Sequence, residues 1–297
     1  MRSKRWTGFF MVAITIFVGC MGKKENNVTK SELKQLTEEL YGNEDRNFQS
    51  HVEINFQGKL TKRKFSDVAP QPLLAVDDEI LENPVVKSLR KLFDNYEMDT
   101  SKMENVTPEE RGEEERFLDA LLETPSINRT MNFLSDHGLF GNGNRTYREI
   151  LKHVWFYQYP RHQRINVATS SAFEHIFCGE LKNGRQLIGF HNWVSFNNAE
   201  RSGDMEYWGY RWKRSLANTT IPAVVYATYR YVGKVKSSSF FVGTSPELEI
   251  SLYTLCYFAR PDKYCHISMD GTNFGIRTNV MRHIGREAHL ASAYATL

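Results

Sequence analysis

The sequence predicts an α+β fold, with a helical N-terminal half followed by antiparallel β-sheets. Two patterns and one bulk property lead to it. Residues 30–160 carry helix-capping signals ahead of apolar stripes with a 3.6-residue period. From about residue 165 the stripes give way to runs rich in Val, Ile, Phe, Tyr and Trp, bounded by turn residues. Helices first and strands later is the order of an α+β chain, not of alternating βαβ units. The 297 residues, 41% hydrophobic and 13% aromatic, can fill the core of one large domain.

The first element is a leader. Arg2, Lys4 and Arg5 precede an apolar run at residues 8–18, and the small residues Gly19 and Gly22 follow. This predicts a signal peptide over residues 1–20, cleaved between 19 and 22, and a secreted product. The run is short against the ~20 residues that span a bilayer, so no stable membrane partner is expected; a signal anchor is the alternative. Sequons at Asn27, Asn128, Asn144 and Asn218 are candidate glycosylation sites, and Pro108 weakens a fifth at Asn105.

Helices come next. Thr29-x-x-Glu32 is a capping box before Leu33, Leu36 and Leu40, with Gly42 as the stop. Residues 42–80 show no clear period, and residues 86–93 suit a short helix. Thr107-Pro108-Glu109-Glu110 opens another helix, whose stripe is Phe117, Leu118, Leu121 and Leu122, with Pro125 beyond it. Thr146-x-x-Glu149 opens a third, carrying Tyr147, Ile150, Leu151 and Val154 on one face. Residues 139–145 form a loop between them.

Strands are predicted at 173–181, 185–196, 205–213, 222–233, 238–243, 264–269, 274–280 and 289–295. One helix interrupts them, capped by Ser245 with Pro246 at its first position and Leu248, Leu252 and Leu255 inward. Ser245 lacks the Gly-x-Ser-x-Gly context of a serine hydrolase and reads as a cap. Of the cysteines beyond the leader, Cys256 and Cys265 are close enough to bridge, and Cys178 reads as a buried apolar residue. The formal charge of +3 is uneven, because residues 201–297 hold an excess of basic side chains that suits an anionic ligand.

Residues 173–193 concentrate the candidate chemistry. Two histidines, His175 and His191, lie in apolar runs either side of Asn183-Gly184, a hairpin signal. A two-residue loop puts the imidazoles on opposite faces. A three-residue loop at 182–184 pairs 181 with 185 and sets 175 opposite 191. Two imidazoles on one face can serve as general base and general acid.

Five stretches together carry a resemblance. They are Trp155-Phe156-x-x-Tyr159, Phe173-Glu174-His175-Ile176-Phe177-Cys178-Gly179-Glu180, Gly189-Phe190-His191-Asn192-Trp193, Gly243-Thr244-Ser245-Pro246-Glu247-Leu248-Glu249 and Ser292-Ala293-Tyr294. In this order the chain, from about residue 30 to 297, resembles the EndoU family, the poly(U)-specific endoribonucleases of animals, and more distantly the coronavirus uridylate-specific endoribonuclease. It departs from the usual pattern at Ala172, Cys178 and Ser292, none of which removes a catalytic group.

The resemblance implies a helical part over 30–160, a β-rich catalytic part over 165–297, and catalysis by His175, His191 and one lysine. Gly233 favours Lys236 and Ser238 favours Lys234; Lys236 is preferred. It also implies that Tyr294 lies against the ribose or base, with Ser238 and Ser292 as candidates for the uracil edge. Manganese dependence is a family trait. Mn²⁺ is therefore expected, with Glu174 and Glu180 at the matching acidic positions, although no compact ligand motif is present.

The expected substrate is single-stranded, uridine-containing RNA, cut by a monomer. The ribose 2′-OH attacks the phosphate, one His removing its proton and the other protonating the departing 5′-oxygen. A lysine ammonium offsets the phosphate charge. The products would be a 2′,3′-cyclic phosphate and a 5′-OH, and DNA, which lacks the nucleophile, would not be cut. His191 is favoured as base and His175 as acid. The competing reading is a secreted RNA-binding or interaction protein on the same fold with little or no catalysis.

Overall fold

The computed structural model describes residues 28–44, 47–61, 66–141, 143–161, 167–216, 220–282 and 287–297. The predicted leader and the sequons at Asn27 and Asn218 lie outside them.

The capping signals work as read. In α1 (Lys30–Gly42) the Thr29 hydroxyl accepts from the Glu32 N–H at 3.1 Å, and the Glu32 carboxylate accepts from the Thr29 N–H at 2.7 Å. The same reciprocal box opens α5 (Pro108–Leu122) and α7 (Tyr147–Phe156). Between α1 and α5, the stretch without a period folds into short pieces. They are α2 (Asn47–Ser50), the antiparallel ribbon β1 (Val52–Ile54) with β2 (Leu74–Val76), α3 (Asp78–Leu81) and α4 (Pro84–Arg90). A helix that the sequence reading lacks is α6 (Pro125–Asp136). Pro125, read as a stop, is its first residue, with Thr124 as cap.

The predicted long hairpin is corrected by the structure. Residues 174–178 form a π-helical turn, closed by a bond from the Gly179 N–H to the Glu174 carbonyl at 2.8 Å. Only β3 (Glu180–Lys182) and β4 (Gln186–Ile188) pair, with Leu181 opposite Leu187 and Lys182 opposite Gln186. The loop is therefore 183–185, which is neither register considered from the sequence. The rest of the predicted second strand is an irregular link at 189–192 and the start of α8 (Trp193–Ser202). The physical reason is burial: every residue from Ala172 to Cys178 is inside. A short apolar run buried on all sides has no alternation to separate strand from helix.

Two three-stranded antiparallel sheets follow. One is β5 (Met205–Ser215), β6 (Ala223–Tyr231) and β7 (Lys234–Val242) in that order. The other has the order β10-β9-β8, from β8 (Tyr264–Met269), β9 (Thr272–Met281) and β10 (His289–Thr296). Between them in sequence lies α9 (Pro246–Ala259), capped by Ser245, whose hydroxyl accepts from the Leu248 N–H at 3.2 Å. Leu248, Ile250, Leu252, Tyr253 and Leu255 are all fully buried, so α9 is an interior helix. Cys256 on α9 is disulfide-bonded to Cys265 on β8, and Cys178 is a buried free thiol. The Ser239 hydroxyl on β7 donates to the Ala295 carbonyl on β10 at 2.6 Å, joining the two sheets where the site lies.

Candidate active site

His175 and His191 do meet, with ring centroids 6.2 Å apart. Their meeting comes from the π-turn, not from a cross-strand pair. The Phe190 N–H donates to the His175 carbonyl at 2.8 Å, and the His191 N–H to the Ile176 carbonyl at 2.6 Å. This close approach explains the glycine before Phe190. Gly189 has φ +70°, and a methyl there would fall 1.9 Å from the His175 carbonyl oxygen.

Each imidazole has a different partner. His191 donates from Nδ1 to the Ser239 carbonyl at 2.9 Å, because a carbonyl can only accept. Its Nε2 is then a bare lone pair. His175 places Nδ1 on the Glu180 carboxylate. Glu180 also accepts from Arg161, through Nε at 3.2 Å and Nη2 at 2.8 Å. Arg161 donates onward to the Ala291 carbonyl on β10 at 2.8 Å. No motif around Arg161 marks it, and the sequence reading missed it.

Of the two candidate lysines, Lys236 is the one on the cavity that holds the histidines. Together with His175, His191, Arg161, Asn279 and Ser292 it lines a cavity of ≈ 710 Å³. Its ammonium donates to the Gly189 carbonyl. Lys234, two residues earlier on β7, does not line this cavity. Tyr294 stacks on His191, centroids 5.2 Å apart and planes 23° from parallel. Ser292 faces the cavity as expected. Ser238 does not: it is buried, shares a 2.7 Å hydrogen bond with the Tyr229 hydroxyl and donates to the Phe190 carbonyl at 2.9 Å. Its role is to pin the histidine loop to β7.

Burial dominates the electrostatics. It lowers the pKa of His175 to about 4, with Arg161 pushing the same way and Glu180 opposing. Burial, then Lys236 and His175, hold His191 well below the ordinary histidine value. Burial also brings Lys236 down to about 7, against the pull of Glu180. Burial thus favours the uncharged form of both imidazoles and of the lysine amine.

The two acidic positions do not fit a Mn²⁺ site. Burial, then the charge of Glu180, push Glu174 well above the carboxylate range, which disfavours the charged form a cation would need. One of its oxygens accepts from the Ser171 N–H at 3.2 Å. Burial raises Glu180 too, but Arg161 and His175 outweigh it and leave it at about 2, engaged by both. A cation there would sit against a guanidinium. No group of three or more His, Cys, Asp or Glu among the described residues is arranged to hold a metal ion.

The remaining motif residues brace the site. Asn192 caps α8, its side-chain oxygen accepting from the Ser195 N–H at 3.0 Å. Its amide donates to Glu249 on α9 at 3.2 Å, and the Thr244 hydroxyl donates to the same carboxyl group at 2.8 Å. The Trp193 indole donates to the Thr244 carbonyl at 2.8 Å. Of the sequons, Asn144 is exposed, whereas Asn128 lies within α6 and donates to the Leu122 and Thr124 carbonyls.

Comparison with known proteins agrees with this architecture. The chain is 32% identical over 275 residues to zebrafish (Danio rerio) uridylate-specific endoribonuclease B, covering 89% of this chain and 95% of that one. It is 33% identical over 263 residues to uridylate-specific endoribonuclease C of Xenopus laevis, covering 85% and 84%. The solved structure of XendoU, described as a splicing independent snoRNA processing endoribonuclease, superposes with a TM-score of 0.70. It shares 30% identity over 90% of this chain and 97% of that one. The family model for endoribonuclease XendoU matches residues 32–295. With two imidazoles and a lysine on one cavity and the match running through every element, the chain belongs to the XendoU family of endoribonucleases.

Proposed function

We propose that this chain is an exported endoribonuclease that cleaves single-stranded RNA at uridines by transesterification through the ribose 2′-OH. The observation that carries the proposal is the pair of unlike imidazoles on the cavity that also holds Lys236. His191, with its Nδ1 proton on a carbonyl and a bare Nε2, suits the base that takes the 2′-OH proton. His175, backed by the Glu180 carboxylate, suits the acid, because that carboxylate stabilises the imidazolium that donates to the 5′-oxygen. Lys236 offsets charge on the non-bridging oxygens. Tyr294 and Ser292 offer a stacking face and a hydroxyl for the nucleoside. Export is supported by the basic and apolar leader sequence and by the Cys256–Cys265 bond, which suits an oxidising compartment.

The test is cleavage of a uridine-containing oligonucleotide with analysis of the ends. We expect a 2′,3′-cyclic phosphate and a 5′-OH, and no cleavage where the scissile uridine is 2′-deoxyuridine. His175→Ala and His191→Ala should each lower kcat by ~10²–10⁴-fold. Lys236→Ala should lower it by ~10²–10³-fold, while Lys234→Ala mainly raises KM in a salt-dependent way. Cutting at deoxyuridine would point to an activated water instead. Tight binding of oligo(U) without turnover would favour the non-catalytic RNA-binding reading.

A further inference from the structure

The sheet that supplies Tyr294 and Ser292 has an outer face that extends well beyond the active site. In its register Tyr294 on β10 pairs with Arg277 on β9, and Arg277 pairs with Tyr264 on β8. Residues directly opposite in antiparallel strands share a face. Their neighbours Ala293, Thr278 and Cys265 are fully buried and define the inner face. Tyr294, Arg277 and Tyr264 therefore form one row across the outer face, about 10 Å from end to end at two strand spacings.

At one end of the row Tyr294 stacks on His191. At the other end Tyr264 is 53% exposed, unusual for a tyrosine in a sheet, and Arg277 sits 5.5 Å from the centre of its ring. His266, on the same side of β8, is also exposed and near-parallel to Tyr264, with planes 23° apart. Beyond them a second cavity of ≈ 580 Å³ opens between this face and α1, lined by Tyr264, His266, Lys30 and Lys34.

The lining of this second cavity includes Lys30 and Lys34 and no Asp or Glu. Lys30, Lys34 and Arg277 form no salt bridge among the described residues. Asp262, which also interacts electrostatically with Arg277, is engaged by Arg282 and by the Val280 N–H. An open sheet face that alternates aromatic rings with cations is the means by which single-stranded nucleic acid is held without duplex.

We propose that the outer face of the β10-β9-β8 sheet is a platform for the single-stranded RNA flanking the scissile uridine, one flanking base stacking on Tyr264 and the backbone passing Arg277 towards Lys30 and Lys34. The proposal rests on the nuclease reading and extends it, since a chain held only at the scissile uridine needs none of these residues. The face is continuous with the cavity at Ser292 and Asn279, so one strand can occupy both.

The test compares the dinucleotide UpU with a uridine-containing single strand of about twelve nucleotides. It uses the full chain with Tyr264→Ala, Tyr264→Phe and Arg277→Gln. In Tyr264→Ala the ratio of kcat/KM for the long substrate to that for UpU should fall about tenfold, the low end of what a lost base stack costs. Tyr264→Phe should restore it. Arg277→Gln should reduce the slope of log affinity against log salt by about one on the long strand only. An unchanged ratio in Tyr264→Ala, or an equal fall on both substrates, would overturn the platform. If the wild type cleaves neither substrate, the nuclease reading fails. The platform is then decided by the anisotropy of a labelled twelve-nucleotide oligo(dU), where equal affinity of wild type and Tyr264→Ala would overturn it.

Discussion

At the scale of single residues, burial opposes the charged form of each basic group that meets at the cavity. Burial, with Arg161 pushing the same way, lowers the pKa of His175 to about 4 and that of Lys236 to about 7. A phosphodiester in the cavity adds the opposite charge and favours both protonated forms. The sign follows directly. The descending limb of the pH profile marks loss of the proton from the acid or the ammonium, so it should lie at higher pH for kcat, which reports the complex, than for kcat/KM, which reports the free enzyme. Profiles of both constants across pH 4 to 9 would check this, and coincident limbs would contradict it. Arg161 belongs at this scale too. It was not legible in the sequence because an arginine 14 residues before a histidine has no local signature, and only folding brings it to Glu180.

At the scale of elements, the junction of α8 and α9 positions His191. Glu249 is fully buried and burial pushes its pKa up to about 8, against the hydrogen bonds from Thr244 and Asn192. A carboxyl group raised in the folded state adds stability below its unfolded pKa and loses it as pH rises through the folded one. The protein should therefore lose thermal stability between about pH 4.5 and 8, and Glu249→Gln, which cannot ionise, should lose less over that range. Thermal unfolding of both at the two ends of the range measures the difference; equal losses would remove Glu249 from the account. How far the elements could be read depended on whether their signals were local. The boxes at Thr29, Thr107 and Thr146 set their helix starts because a cap is a contact between residues three apart. The strands of the two sheets were found because their runs are rich in Val, Ile, Phe, Tyr and Trp, a local signal of composition. The π-turn and α8 were misread as strand because the run from Ala172 to Cys178 is buried on every side, so no exposed face reveals the period. Pro125 was misassigned because proline both starts and stops helices, and the cap at Thr124 decides which. His175 and His191 do lie side by side, but through a geometry other than either hairpin register considered from the sequence.

At the scale of the whole molecule, α9 runs through the interior between the helical part and the sheets, and the Cys256–Cys265 bond fastens its end to β8. The cysteines are 9 residues apart, and closing so short a loop stabilises a fold by ~2–3 kcal/mol in the chain-entropy model. Cys256→Ala/Cys265→Ala should lower the stability to urea by about that amount while kcat at 25 °C stays near wild type, since neither sulfur approaches the cavity. A large fall in kcat in the folded variant would show that the sheet bearing Tyr294 depends on the bond for its placement.

The participation of β10 has a consequence in time. Arg161 is tied to the Ala291 carbonyl, Ser239 to the Ala295 carbonyl, and Tyr294 covers His191. All three partners lie in β10, which a ribosome makes after every other element described here. A growing chain can carry both histidines and Lys236 well before β10 exists, yet their brace and their stacking face are absent until it does.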